Sequence, residues 1–479
     1  MPLRPTLVAF AASVLVSACA VGPDYVRPAL PVPPAYKEAG DWKPAEPRAA
    51  ASGQAWWQAY GDATLDGLMA DAGSANQNIR QAEAAYRQAR ALADADRAGL
   101  FPSLGLSAGA QRARTNSSGV VKTGDAYSAG LAASWEPDLW GSVRRTVESG
   151  DAGAQASADD LAAARLSIQT TLAQDYLQLR VADQQRDLYD ATVAAYAQAL
   201  KLTRAQHAAG VALQSDVALA ESQLAQARAA AVDLEATRAQ LEHAIAVLTG
   251  RAPAQFSLGR APAGQALALK APPSPAGLPS ELLEHRPDIA AAERRAAAAN
   301  ANIGVAKAAY FPQLTLSANG GLGAAALGSL FDTPSHVWSL GAALAQTLFD
   351  GGLRRARTAQ AEAAYDGAVA QYKETVLGAF QQVEDQLALL RLLDQETALQ
   401  DQAVRSSQLA EQLALNQYRA GSASYLGVVT AQTLSLANQR SAVQLRGRLL
   451  AASISLVAAT GGGWSANETP AGATPAPPQ

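Results

Sequence analysis

The side chains that most often carry catalysis or metal binding are few in this 479-residue chain, and they stand apart. Histidine occurs only at 207, 243, 285 and 336, with no spacing that would turn two ring nitrogens onto one metal ion. Gly320-Gly321-Leu322-Gly323 has the glycines of a phosphate loop, but no Lys-Ser/Thr pair follows them. No Ser-His-Asp set and no carboxylate pair has supporting context. The sequence therefore offers no catalytic residue, no metal ligand and no cofactor, and an enzyme is not expected.

One residue does promise chemistry. Cys19 is the only cysteine, so it has no disulfide partner within the chain. It closes Val16-Ser17-Ala18 at the end of an apolar run from Leu7 that is headed by Arg4, the pattern of a signal peptide over 1–18. Small residues before a lone cysteine resemble a bacterial lipobox, where cleavage leaves the cysteine as a lipid-bearing N-terminus. The residue after it is Ala20 rather than aspartate, which favours sorting to the outer membrane. An ordinary signal peptide with a chance cysteine is the alternative.

The elements that follow are written twice. A shift of 210 aligns Phe101-Pro102 with Phe311-Pro312, Gly141 with Gly351, Arg144-Arg145 with Arg354-Arg355 and Asp175 with Asp385. A shift of 211 aligns Gly210 with Gly421 and Gly250 with Gly461. A register held over most of the chain marks a duplicated unit, far longer than a solenoid repeat. A Pro-rich extended segment occupies 19–60, repeat 1 spans 61–250, a linker 251–280, repeat 2 281–463 and an unstructured tail 464–479.

Each repeat begins with a helix (about 62–99 in the first) and then changes rhythm. Leu104, Leu106, Ala108 and Ala110 alternate with Ser103, Gly105, Ser107 and Gly109, which is a strand period. Strands are expected near 103–115 and 127–137, with a polar turn over 115–125, and again near 313–325 and 336–348. A proline-free stretch from 142 to 207 then predicts a helix about 100 Å long at about 1.5 Å per residue. Gly210 turns the chain into a second helix, where Val217, Ala220, Leu224, Ala227, Ala231, Leu234, Leu241, Ile245 and Leu248 recur at 3-4 spacing. Only Arg238 breaks that seam.

Four membrane-length strands leave open edges, which a bilayer forbids, and single-chain barrels use at least eight. Three copies would supply twelve strands and twelve helical columns. The expected fold is mostly helical with membrane strands: a trimeric 12-stranded β-barrel continuous with a 12-helix coiled-coil α-barrel, each protomer holding two structural repeats. A helical lipoprotein with decorative hairpins, structural rather than a channel, is the alternative. A net charge of −4 and 17% charged residues argue against a nucleic-acid partner.

Several motifs carry a family likeness. Trp135-Glu136-Pro137-Asp138-Leu139-Trp140-Gly141 resembles a segment of the outer membrane factors, the TolC-like channels. Gly22-Pro23-Asp24-Tyr25, Arg286-Pro287-Asp288-Ile289, Asn300-Ala301-Asn302-Ile303-Gly304, Leu348-Phe349-Asp350-Gly351-Gly352 and Gly461-Gly462-Gly463-Trp464 resemble the NodT/OprM branch. The resemblance implies an outer-membrane, lipid-anchored homotrimer that conducts drugs or other small toxic molecules. Its implied partners are a periplasmic membrane-fusion adaptor, an inner-membrane pump of the RND type and outer membrane lipid. A duct for metal ions or for exported polypeptide is the alternative cargo reading; two methionines and no acidic ring weaken the former.

In that family the helical turns at the periplasmic end form gate and docking tip. The matching turns hold Gly210 and Val211 in the first copy and Gly421 and Ser422 in the second. The resemblance makes Ser215 and Asp216 acceptors and Tyr418 a donor in a breakable gate, with Arg419 a further partner for Asp216 or else a solvated charge. Asp216 also suits a helix N-cap. Ala423, Gly427 and Thr430 stand where TolC has its gate arginine and ring of aspartates, so a charged constriction does not carry over.

Overall fold

The structure, a computed structural model, describes residues 20–30, 32–39, 55–118, 120–262 and 285–464. The signal segment 1–18, Cys19, much of the 251–280 linker and the tail beyond 464 lie outside the described residues. The elements are α1 (Ala63–Ala75), α2 (Gln77–Ala98), β1 (Ser103–Ser117), β2 (Val120–Trp135), α3 (Ser142–Ala208) and α4 (Gln214–Leu248) in the first copy. The second copy has α5 (Pro287–Ala308), β3 (Gln313–Ala324), β4 (His336–Ala345), α6 (Leu353–Arg419) and α7 (Tyr425–Ala459). Two compact units result: one gathers 20–30, 84–158 and 291–374, the other the remainder.

The first unit carries one antiparallel sheet in the order β1-β2-β3-β4. The turn expected over 115–125 is absent, because the β1–β2 ladder continues to Ser117 opposite Val120. Only a two-residue connection remains, with Ser118 in the left-handed region at φ 52°. Main-chain pairing needs no apolar side chains, and these polar outer rows are tied instead by Arg112 and Asp125, 3.6 Å apart.

Both long helices start on an aspartate. Asp138 accepts from the backbone N–H of Val143 and Arg144 at 3.1 and 2.8 Å, and Asp350 from Gly352 and Arg354 at 3.0 and 3.1 Å. A carboxylate there meets orphan donors and the positive end of the helix dipole. The Arg354 guanidinium and those backbone donors hold the Asp350 carboxyl below its ordinary value.

Residues 20–27 form a strap across this unit. Val21 N–H donates to the Trp140 carbonyl at 3.0 Å, and Asn300 Nδ2 to the Pro23 carbonyl at 3.0 Å. Asp24 pairs with Arg145 at 2.8 Å, and Arg27 Nε donates to the Tyr372 hydroxyl at 3.2 Å. The crossing works only on glycines: a Cβ at Gly304 would lie 2.7 Å from Arg145 Cγ and 2.9 Å from the Val21 carbonyl oxygen.

In the second unit the helix expected over 62–99 divides at Asn76. Its Oδ1 accepts from the N–H groups of Asn78 and Ile79 at 2.9 and 3.1 Å, and its Nδ2 donates to the Leu248 carbonyl at 2.8 Å. Against α3, the seam residues Val217, Ala220, Leu224, Ala227 and Ala231 of α4 are buried. Arg238 breaks the seam for a reason. Its guanidinium reaches Asp183 at 2.8 Å, Glu242 at 2.6 Å and the Leu258 carbonyl, while Asp183 also holds Arg180 at 3.0 Å. Arg180 in turn meets the hydroxyl of Tyr176, which donates to Asp62 at 2.6 Å. Burial, then that Asp62 bond, pushes Tyr176 up to about 12, so it remains a neutral donor at physiological pH.

Gly304→Ala is expected to lift the strap, costing about 1–3 kcal/mol from overpacking, with limited proteolysis within 20–27 as the readout. Asp175, half-buried, is raised above 3.8 by desolvation. A raised carboxyl binds its proton more tightly folded than unfolded, so stability falls as pH climbs through that window and the penalty stands at neutral pH. Asp175→Asn should therefore raise the melting temperature at pH 7 and have little effect below pH 3.8.

Candidate functional site

The ladder register assigns every strand residue to one of two faces. One face carries Leu104 and Leu106 of β1, Leu131 and Trp135 of β2, Leu316 and Leu322 of β3, and Trp338 and Leu340 of β4. The other carries Ser103, Ser107, Ser128, Ser134, Thr315, Ser317, Asn319 and Ser339, interspersed with glycine and alanine and with Val337 as its exposed aliphatic residue on β4. The apolar side chains find no cover: Leu104, Leu106, Leu340 and Trp338 are 70–79% exposed. An apolar face of that kind opposite a polar one suits lipid on one side and water on the other. Trp135 closes the apolar face at the helix end of β2, its Nε1 donating to the Leu100 carbonyl at 3.0 Å. Trp338 stands opposite Gly320 on the same face, two residues from the start of β4. In the second unit α7 also has a stretch of mean hydropathy 1.3 long enough to span a bilayer, but 56% of it is buried.

The expected gate residues lie at the ends of two helical hairpins in the second unit. Gly210 and Gly421 take φ of 75° and 72°, which lets α3 reverse into α4 and α6 into α7. In the first turn the N–H of Val211 donates to the Gln206 carbonyl at 2.8 Å, and His207 Nδ1 meets the Ala212 carbonyl at 2.9 Å. In the second, both the N–H and the hydroxyl of Ser422 reach the Gln417 carbonyl, at 2.9 and 3.0 Å.

The chain does not join Asp216 to Tyr418. Asp216 accepts from the Leu213 N–H at 3.2 Å; Leu213 holds the N-cap position of α4 and Asp216 stands three residues inside it, not at the N-cap as expected. Tyr418 is buried and donates to Thr203 Oγ1 at 3.2 Å, which links the second hairpin to the first. Its ring lies 5.2 Å from that of Tyr425, inside a cluster with Leu200, Val217, Leu224 and Val428. Tyr425 donates to Gln223 Oε1 at 3.4 Å, and burial first, then the Tyr418 and Asp216 charges, pushes it up to about 12. Ser215 is exposed, and Arg419 is exposed without an ion pair among the described residues.

Thr203, Gln223 and Tyr425 therefore belong to the site although the sequence did not assign them a role. The available signal was a pair of tyrosines flanking Gly421 in a chain with only 6% aromatic residues. No group of three or more His, Cys, Asp or Glu side chains able to hold a metal ion occurs among the described residues.

Known proteins share this arrangement over nearly its whole length. The chain is 35% identical over 421 residues to the pyoverdine export outer membrane protein OpmQ of Pseudomonas aeruginosa, covering 86% of this chain and 88% of that one. It is 31% identical to the toluene efflux pump outer membrane protein TtgF of Pseudomonas putida, covering 96% and 98%. The solved structure of the outer-membrane channel OprN superposes with a TM-score of 0.87 at 31% identity, over 93% of this chain and all of that one. The family described as outer membrane efflux protein matches residues 68–251 and 278–462, one match to each repeat. With two unlike sheet faces, two glycine-turned hairpins and that paired match, the chain belongs to the outer membrane efflux protein family.

Proposed function

We propose that three copies of this chain close their sheets into a 12-stranded barrel and their long helices into a 12-helix tube, forming the outer membrane duct of a tripartite efflux system. The observation that carries this reading is the two-faced sheet, in which the outer edges of β1 and β4 pair with no strand among the described residues. A closed barrel satisfies both edges, lays Leu104, Leu131 and Leu340 against lipid, and turns the serine face to a water-filled lumen. Conduction is passive, and the cargo is small and organic, as the pyoverdine and toluene in the relatives' names suggest.

In this reading the hairpin turns Gly210-Val211 and Gly421-Ser422 dock a periplasmic adaptor, itself coupled to an RND-type inner-membrane pump. The 70% exposure of Val211 and Leu213 supports docking there. Ser215, Asp216, Tyr418 and Arg419 form the gate. The Tyr418–Thr203 bond supports a breakable latch, worth about 1 kcal/mol per protomer. Cys19 carries a lipid anchor, and the strap beginning at Ala20 beside Gly141 supports its place at the foot of the sheet.

Purified protein in planar bilayers should run as a trimer and show stepwise conductance, whereas a monomer without conductance would overturn the duct. Tyr418→Phe and Asp216→Ala should raise the open probability about fivefold for each bond lost. Unchanged conductance in both variants rejects the gate assignment. Radiolabelled palmitate should enter the wild-type chain and not Cys19→Ser.

A further inference from the structure

The two copies use the same arginine pair differently. In the first copy Arg144 pairs with Asp138 at 3.2 Å, and Arg145 pairs with both Asp24 and Glu148 at 2.8 Å, its side chain only 6% exposed. The duplication places Arg354 and Arg355 at the same positions of the second copy. Arg354 pairs with Asp350 at 2.6 Å. Arg355, where the partner strap would be needed, is exposed and has no ion pair among the described residues, and the same holds for Arg357. Three arginines against one aspartate thus crowd the start of α6, the end of a helix whose dipole disfavours cations.

What precedes them matters as much. Leu344 ends the apolar face of β4, and Leu348 and Phe349 follow it at 88% and 89% exposure. Asp350, Gly351 and Gly352 then turn the chain into the arginines. Apolar strand, exposed Leu-Phe, then unpaired cations is the order a chain meets on passing from hydrocarbon through headgroups to water. Arg357 borders a cleft of about 310 Å³ lined also by Glu136, Arg354 and the Arg144-paired Asp138, whereas Arg355 lies outside it.

We propose that Arg355 and Arg357, with Leu348 and Phe349 beside them, bind the phosphate of an anionic glycerophospholipid headgroup in the leaflet at the helix end of the sheet. The acyl chains lie along the apolar face, and the guanidinium groups hold the phosphate as donors. The site rests on the membrane-spanning reading of the sheet. It gives the second copy an external anion where the first copy has Asp24 from its own chain.

Native mass spectrometry of the full-length protein in detergent, titrated with phosphatidylglycerol, phosphatidylcholine or inorganic phosphate, tests it. Each arginine should contribute about fivefold, so R355Q/R357Q should bind phosphatidylglycerol about 25-fold more weakly, R355Q alone should fall between, and R112Q at the far end of β1 should match wild type. The proposal is overturned if the double variant keeps wild-type binding, or if phosphatidylcholine binds equally well. It is also overturned if inorganic phosphate displaces the lipid at equal concentration, which would indicate a free anion. An Arg355→Cys variant that resists water-soluble maleimide with lipid removed would assign the arginines to a contact with a second copy, and would overturn it too. Planar-bilayer conductance of the wild type separates the readings: a conducting protein without lipid preference loses only this site, and a silent one loses the channel.

Discussion

The outer edges of β1 and β4 each present a row of backbone N–H and C=O groups with no neighbouring strand among the described residues, and much of the molecule can be understood from that one deficit. In water such edges invite uncontrolled pairing, and in hydrocarbon each unmet group costs several kcal/mol. The register removes any escape through refolding. A slip of one residue would exchange Leu104, Leu131 and Leu340 with the serine face, so the sheet must keep both its faces and its open ends. The aspartate-capped long helices and the strap on Gly304 are attached to that sheet and fix its surroundings.

The duplication shows two solutions to the same packing problem. In the first copy, Arg180, Asp183 and Arg238 form a buried charged network whose members satisfy one another and the carbonyls of Leu258 and Gly259. At the matching positions the second copy has Leu390, Leu393 and Leu449. Buried ion sets and well-packed aliphatic replacements are often close in stability, so stability alone does not explain the charges. Their geometric effect is specific: they fix the segment at 258–259 onto α3 and α4. The tip is asymmetric in the same spirit, since Tyr418 and Tyr425 of the second hairpin fill a pocket in the first.

The repeat, the long helices and the strand alternation are legible in local patterns of the sequence alone. The 3-4 spacing from Val217 to Leu248 repeats often enough that propensity and burial agree. What stayed hidden depended on groups distant in sequence. Asn76 looks like one polar residue in a helical run, and only the Leu248 carbonyl explains why the helix stops there. The β1–β2 ladder outruns its apolar rows because backbone pairing is blind to side-chain polarity. Family likeness assigns Asp216 and Tyr418 to a gate, while their partners within one chain, the Leu213 amide and the Thr203 hydroxyl, are visible only once the turn and the neighbouring helix are in place.

The unequal hairpin ends have a consequence outside transport. The first hairpin closes over two residues, whereas the second spreads 325–335 through two short 3-10 turns with Phe331 78% exposed. If those ends face the cell's surroundings, antibodies and phage tail proteins would find little to grip on the first. The immunological identity of the bacterium at this channel, and the room for it to vary under attack, would then rest almost wholly on eleven residues of the second.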